Sequence, residues 1–431
     1  MTRSRWSAMV VSLRRAVITG IGSLNSLGND GPSFHKALIE GKSGIKPITL
    51  FDASSLPIRF AGCIPDFDAK NYVDKKDRKA LRVMARTIQL AVSGAQCALN
   101  DSKVDKNKLD HTRFGVIYGA GLIATDLPEL ADAAVIACDG TPGQVDLELW
   151  GEKGLEAVQP LWMLKYLPNM LACQVSILHD AQGPNNSITQ SDVASILALG
   201  ETFRLLCRDR GDFFLSGGAE SKINILSMSR HSLFEDLSHD NDNHQKASRP
   251  FDLNSGGMVL GEGTGVFVVE ELEHAKKRNA KIYAEVLGFG AAFDQKKDGS
   301  GIYRAIQAAM NEAGIDASDI DHINAHGAGC KVADRAEAQG IYKAFPKTPD
   351  VIAIKSFIGN LGAAGGLVEL TASLEAFQTG MVPGTLNHDH PDPDCPVPVL
   401  KSPRELKKPC VLKVSFDLTG QCGAVVVRRW N

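Results

Sequence analysis

The residues best placed to do chemistry begin at Ser191. There a Gly-Pro turn and a run of short polar side chains, Gln182-Gly-Pro-Asn-Asn-Ser-Ile-Thr-Gln-Ser191, gives way to apolar residues at helical spacing, Val193, Ile196 and Leu197. A helix starting here presents unpaired amides and a partial positive charge, a setting that suits a thiolate, an oxyanion or an acyl carbonyl. The same pattern is also an ordinary serine N-cap. A helix terminus contributes at most about 2 kcal/mol, roughly one and a half pK units, which leaves an aliphatic hydroxyl un-ionised. As a nucleophile Ser191 therefore needs a general base within hydrogen-bond reach, and His326, in Asn324-Ala-His-Gly327, is the candidate. Asp192 beside it would oppose a developing oxyanion. Asn360 offers an N–H donor, and Lys355 opens the run that contains it. Each has a plainer reading: His326 as a buried histidine bonded near Asp334 or Lys355, and Asn360 as a side chain satisfying a turn.

The elements that must position these residues alternate along the chain. Arg15-Ala-Val-Ile-Thr-Gly-Ile-Gly22 reads as a buried strand, Pro32 to Glu40 as a helix, and the apolar stripe from Asp74 to Leu99 as a core helix. Strands at 113–121 and 212–220 flank the Ser191 segment, and a β-branched run ends near 270. A second series starts at Tyr283: helix 301–313, strand 320–325, helix 334–345, strand 351–355, helix 366–379, then strands 410–416 and 423–428. The proline-rich stretch 387–409 reads as a long ordered loop in which His388 and His390 are solvated. Two similar series predict a duplicated five-layer α/β/α/β/α core, with a tail at 1–13, one half at 14–272 and the other at 280–431.

Composition narrows the function. Lys+Arg 47 against Asp+Glu 50, with no basic block, argues against nucleic acid as a partner. No apolar run reaches the ~20 residues of a membrane span. Nine cysteines are scattered as singles, without metal spacing, as expected of thiols in a reducing cytoplasm. The Gly-Ile-Gly after the first strand lacks the third glycine of a dinucleotide fingerprint, so neither cofactor nor metal is expected.

Several dispersed stretches together resemble one family, the β-ketoacyl-[acyl carrier protein] synthases of the thiolase-like fold. They are Arg15-Ala-Val-Ile-Thr-Gly-Ile-Gly22, Gly183-Pro-Asn-Asn-Ser-Ile-Thr189, Ser216-Gly-Gly-Ala-Glu220, Arg249-Pro-Phe-Asp252, Gly261-Glu-Gly263, Asn324-Ala-His-Gly327, Lys355-Ser-Phe-Ile-Gly-Asn-Leu-Gly-Ala-Ala-Gly365 and Ser415-Phe416. The resemblance implies a cysteine at the helix start that carries the acyl chain, and two histidines that assist decarboxylation of a malonyl unit and condensation. This chain departs from that pattern. Thr-Ala-Cys reads Thr189-Gln190-Ser191, His-Gly-Thr-Gly-Thr reads His326-Gly-Ala-Gly-Cys330, and the second histidine reads Asn360. Lys355, Asp334 and Glu337 are kept, while Gly-Phe-Gly-Gly-Thr-Asn has become Asp417-Leu-Thr-Gly-Gln-Cys422.

Ser191, His326, Asn360 and Lys355 are thus expected at degenerate catalytic positions. The resemblance implies a condensation-deficient protein that acts, like a chain-length factor, as partner of an active ketosynthase in fatty acid or polyketide biosynthesis. Two alternatives stay open: a Ser191–His326 acyltransferase or thioesterase on acyl thioesters, and a non-catalytic homodimer that binds acyl chains or acyl carrier protein. A homodimer or heterodimer is expected in every case.

Overall fold

The computed structural model describes residues 14–430 apart from 65, 139, 142 and 346, so the tail expected at 1–13 lies outside the described residues. Ten strands form the main sheet: β1 (Ala16–Leu24), β2 (Phe114–Ala120), β3 (Asn185–Thr189), β4 (Phe213–Ser221), β5 (Glu262–Glu271), β6 (Ala284–Phe293), β7 (Ile320–Asn324), β8 (Asp350–Ile352), β9 (Cys410–Phe416) and β10 (Gln421–Arg429). Their order is β8-β7-β9-β10-β6-β1-β5-β4-β2-β3. Outward from the centre, each half runs through two antiparallel pairs and then two parallel ones. The first half uses only strands up to Glu271 and the second only strands from Ala284, so the duplication read from the sequence is a duplication of topology. Where β1 meets β6 the ladder is short, Ala16–Ile18 against Ala284–Val286, and it joins the halves into one mixed sheet.

Most of these strands are buried along their length and read as near-continuous Val, Ile, Phe and Ala, as strands covered on both faces must. Two helices lie between the half-sheets: α3 (Ala194–Cys207) and α6 (Gly365–Thr379). Ile196 and Leu199 of α3 and Leu367, Leu370 and Leu374 of α6 share one core with Ile117, Phe214 and Phe267 of the first half and Val286, Val411 and Val425 of the second. Accordingly α6 is buried on every side from Gly365 to Phe377 and has no polar stripe. The outer layers are α1 (Arg86–Ser102) with α2 (Met170–His179) on the first half, and α4 (Ser300–Ala313) with α5 (Lys331–Ala344) on the second. Five layers result, as expected.

The glycines of Gly20-Ile-Gly22 serve packing. A Cβ on Gly22 would sit 2.0 Å from Gly94 O, and one on Gly20 2.4 Å from Ala98 O, so α1 lies directly on the β1 backbone. Three sequence expectations need correction. The helix expected from Asp74 begins at Arg86: Met84 and Ala85 are extended, and the preceding Arg78–Val83 is a tighter 3₁₀ segment. His388 is buried rather than solvated, with Nδ1 3.2 Å from Pro250 O. The loop 387–409 contains Arg404–Glu405, which pairs with Met381–Val382.

Candidate active site

Parallel strands place their carboxyl ends on one side, where open α/β sheets gather functional groups. Here the segments leaving β3, β4, β7, β8 and β9 supply, in turn, Asp192, Lys222, His326, Lys355 with Asn360, and Asp417. The decisive bend follows β3. Ser191 adopts φ 44, the left-handed region that few non-glycine residues enter, and a single 3₁₀ turn, Ser191–Val193, then leads into α3. That bend leaves Ser191 exposed and turns Asp192 inward, where it is 6% exposed.

The expectation for Ser191 is corrected on this point. Among the described residues its hydroxyl makes no hydrogen bond to His326, whereas Asp192 is the side chain that faces Asn360 and His326. Asn360 Nδ2 donates to Asp192 Oδ2 at 2.9 Å. Asn360 Oδ1 accepts from Gly362 N at 3.0 Å, which fixes the amide so that its N–H₂ faces the carboxylate. The Asn360 backbone is itself clamped, its N donating to Val259 O at 2.7 Å and its O accepting from Gly261 N at 2.9 Å. His326 Nε2 approaches Asp192 Oδ2 at 3.9 Å, longer than a hydrogen bond.

His326 is held from behind by two carboxylates at one remove. Glu337, fully buried on α5, accepts the backbone N–H groups of His326 and Gly327 at 2.7 and 2.8 Å. Asp334, one turn earlier, accepts from Phe251 N at 2.9 Å and Gly329 N at 3.2 Å, and burial pushes its carboxyl up to about 7. Lys355 donates to His326 Nδ1 at 3.2 Å, to His326 O at 3.1 Å and to Glu369 Oε1 at 2.5 Å, which uses all three of its protons. Lys413 on β9 completes this base, reaching Glu369 Oε2 at 2.5 Å and Ala325 O at 3.0 Å. Because Lys355 donates to Nδ1, the neutral imidazole carries its proton on Nε2, facing Asp192. Burial foremost, then the Lys355 charge, holds His326 well below the ordinary histidine range, so it is neutral at pH 7.

Sequence reasoning missed Lys222. It is 3% exposed at the end of β4, and its Nζ donates to Asp192 Oδ1 at 3.4 Å. Burial would raise the Asp192 carboxyl, but the Lys222 charge above all, with Lys355 and the Asn360 hydrogen bond, outweighs it and holds Asp192 well below the usual carboxylate range. Asp192 is therefore an anion at neutral pH. The one sequence signal for Lys222 is a lone lysine just after an otherwise buried strand, Phe213-Phe-Leu-Ser-Gly-Gly-Ala-Glu-Ser221.

A cavity of about 320 Å³ opens beside this cluster, lined among others by Cys330, Phe416, Leu418 and Cys422. The Phe416 ring lies 4.5 Å from the His326 imidazole and forms the wall between them. Both thiols are buried, and burial pushes that of Cys422 up to about 12, so neither is a ready nucleophile. The Asp417 turn that carries Leu418 is tied to the Ser191 bend by Gln190 Nε2, which donates to Asp417 Oδ2 at 3.0 Å. Asp417 Oδ1 meanwhile accepts from Thr419 N, Gly420 N and Gln421 N. No group of residues that could hold a metal ion occurs among the described residues.

Comparison with known proteins gives the family and the fold. The family profile described as beta-ketoacyl synthase, N-terminal domain, matches residues 13–275, and that of the C-terminal domain matches 283–389. The 3-oxoacyl-[acyl-carrier-protein] synthase 2 of Vibrio cholerae is 37% identical over 392 residues, 89% of this chain and 90% of that protein. Its counterpart from Vibrio harveyi is 34% identical over 97% of this chain and 99% of its own length. Among solved structures, the ishigamide ketosynthase/chain length factor superposes with a TM-score of 0.84 at 27% identity, covering 97% of this chain and all of that one. A beta-ketoacyl synthase from Burkholderia phymatum gives 0.85 at 26% identity, with the same coverage.

Proposed function

Because this chain belongs to the beta-ketoacyl synthase family, we propose that it is a non-condensing member, with Asp192 standing where the family's nucleophilic cysteine would be, and that it works as the chain-length-factor-like partner of an active ketosynthase. The family's Thr-Ala-Cys then corresponds to Gln190-Ser191-Asp192, one place later than the sequence alone suggested. One observation carries the reading: the groups that would receive a developing oxyanion already face an internal anion, with Asn360 Nδ2 bonded to Asp192 and His326 Nε2 directed at it.

The chemistry follows from that occupancy. A carboxylate attacking an acyl thioester would form a mixed anhydride, more reactive than the thioester consumed, so no stable acyl-enzyme accumulates at Asp192. Its depressed pKa also makes it a weak base. A decarboxylating malonyl unit would place an enolate beside this fixed charge. Two like charges ~4–5 Å apart at an effective dielectric of ~20 repel by about 3–4 kcal/mol, roughly 10²–10³-fold in rate. The donors that would stabilise the enolate are engaged as well. The exposed Ser191 gives no support to a serine acyltransferase.

Association with a second ketosynthase-fold chain has its own support. Strand β3 ends the sheet with one side of its ladder unpaired. The neighbouring segments expose Leu122, Leu127, Val135, Leu147, Leu161, Met163 and Ile177, an apolar surface of the kind that protein partners cover. The AntDE:AntF structure, 25% identical with a TM-score of 0.82, is of a ketosynthase with its acyl-carrier protein, and a carrier protein is the second partner we assign.

The test is an elongation assay with acyl and malonyl carrier protein, read beside native mass measurement. The expected result is no elongation by the chain alone and a stable heterodimer with an active synthase. Elongation by the isolated wild-type chain near 1 per second, ordinary for enzymes, would overturn the reading. Exclusive homodimers that bind carrier protein would favour the simpler binding role.

A further inference from the structure

Lys222 is a fully buried cation outside the motifs that carry the family resemblance. Its position is well defined. It follows β4 directly, its Nζ points to Asp192 Oδ1 at 3.4 Å, and among the described residues that oxygen is its one hydrogen-bond acceptor. The neighbouring Glu220 is engaged elsewhere, accepting from Ala363 N at 2.6 Å. Lys222 and Glu220 both pack against Gly362: a Cβ there would lie 2.9 Å from Lys222 Cε and 2.0 Å from Glu220 Oε2, so the two side chains occupy the space that a larger residue at 362 would need.

We propose that Lys222 is the positioning residue of this site: its buried ammonium is what holds an anion at position 192, and it would hold a thiolate there in the same way. The inference deepens the reading above and rests on Asp192 occupying the anion site, not on the loss of condensation.

A buried ammonium without a partner carries a large desolvation penalty, as does a buried carboxylate, so each residue of the pair offsets the cost of burying the other. The groups facing position 192 are Lys222 from β4, Asn360 and Lys355 from the segment after β8, and His326 from the loop after β7. Of these His326 is neutral and Lys355 gives its protons to His326 and Glu369, which leaves Lys222 as the cation directed at position 192. Those facing Lys222 are Asp192, Glu220 and Glu235; burial alone would lower its pKa, and these carboxylates raise it, Asp192 most. The charge therefore stays on the lysine.

The experiment measures thiolate formation in the full chain by absorbance near 240 nm across pH 5 to 10, as the difference between Asp192→Cys and Asp192→Ala, in which the native cysteines cancel. The expected midpoint for Cys at 192 lies below about pH 7, against ~8.5 for a free thiol. Adding Lys222→Met should raise it by at least one unit, a tenfold loss of thiolate at any pH well below both midpoints, while Lys222→Arg should keep it low. A midpoint at or above the ordinary value in Asp192→Cys overturns the proposal, as does one that Lys222→Met leaves in place. If Lys222→Met does not fold, Asp192→Cys alone and its Lys222→Arg combination still decide. Elongation is not the readout, so an active wild-type chain would defeat the proposed function without touching this result.

Discussion

Strand β7 and the loop behind it carry two histidines, His322 and His326, each close to an aspartate, and the two settings differ in how completely their partners are used. His322 Nδ1 lies 2.9 Å from Asp321 Oδ1, and its Nε2 lies 2.9 Å from Ser373 Oγ. Ser373 Oγ also accepts from Asn324 Nδ2 at 3.0 Å. By distances alone this is a Ser-His-Asp arrangement. Yet Asp321 is 5% exposed and the other two 0%, and Asp321 is further tied to Arg404 and to the backbone N–H groups of Lys407 and Lys408. It is a structural lock between β7, α6 and the C-terminal segment. His326 has looser geometry, 3.9 Å from Asp192, but adjoins a cavity through Phe416. Ideal distances occur in the sealed cluster, whereas the cluster with looser geometry is the one that adjoins a cavity and that we propose as the site.

That contrast can be broken most forcefully at Asp192. Asp192→Asn keeps the shape and the Asn360 contact but strands Lys222, and removing one partner of a buried pair costs about 3–5 kcal/mol. Because the folded pKa of Asp192 is depressed, its contribution is present above its unfolded value of ~3.9 and is lost as pH falls below it. Denaturant melts of wild type and Asp192→Asn should therefore differ by a constant amount above about pH 5 and converge in stronger acid. A gap that does not narrow in acid would point to packing, not charge.

Ser373→Ala tests the other cluster. It leaves His322 Nε2 and one Asn324 proton without a partner, at a cost of about 1–3 kcal/mol, and should leave carrier and partner binding unchanged. If binding fails with the fold intact, the sealed cluster is not merely structural.

A smaller effect, shared by the two histidines, appears with pH. Burial holds both below the ordinary range, so the unfolded chain takes up their protons first and stability falls as pH drops below ~6.5. Each contributes a slope of at most about 1.4 kcal/mol per pH unit. His322→Asn and His326→Asn should each flatten that limb of a stability-against-pH curve by a similar amount; an unchanged slope would mean that the histidine is charged in the fold.

The smallest change expected is Gln190→Ala, about 0.5–1.5 kcal/mol for one hydrogen bond. Asp417 Oδ1 still holds its own turn through backbone donors, so the cavity wall should survive, as hydrogen exchange of Thr419 to Gln421 would report. Rapid exchange there would show that Gln190 alone fixes the wall.

The fold was legible because buried strands and helices announce themselves by composition, and the two series of strands repeat. His326, Lys355 and Asn360 were legible as members of recognisable short motifs, and the structure brings them together. Asp192 and Lys222 were not, for different reasons. Ser191 and Asp192 are neighbours of similar size, and which one faces inward depends on a left-handed backbone at a serine, which no propensity foretells. Lys222 belongs to no motif, and it meets Asp192 only because β4 ends opposite the bend after β3. The helix expected from Asp74 failed where Met84 and Ala85 extend, since an apolar stripe continues through a break in backbone that it cannot reveal.

Five ladder pairs, Val116–Asn185 to Ala120–Thr189, fix β3 against β2, and only Gln190 separates the last of them from the bend at Ser191. There is no slack in which a change of chain length could be absorbed. One residue inserted between Thr189 and Ser191 would carry Ser191 to the inward place, and one deleted would carry Val193 there. The chemical character of the pocket, anionic, hydroxylic or apolar, is thus set by a count of residues as much as by their kinds, and a shift of one position could exchange one character for another while every contact in the sheet stayed as it is.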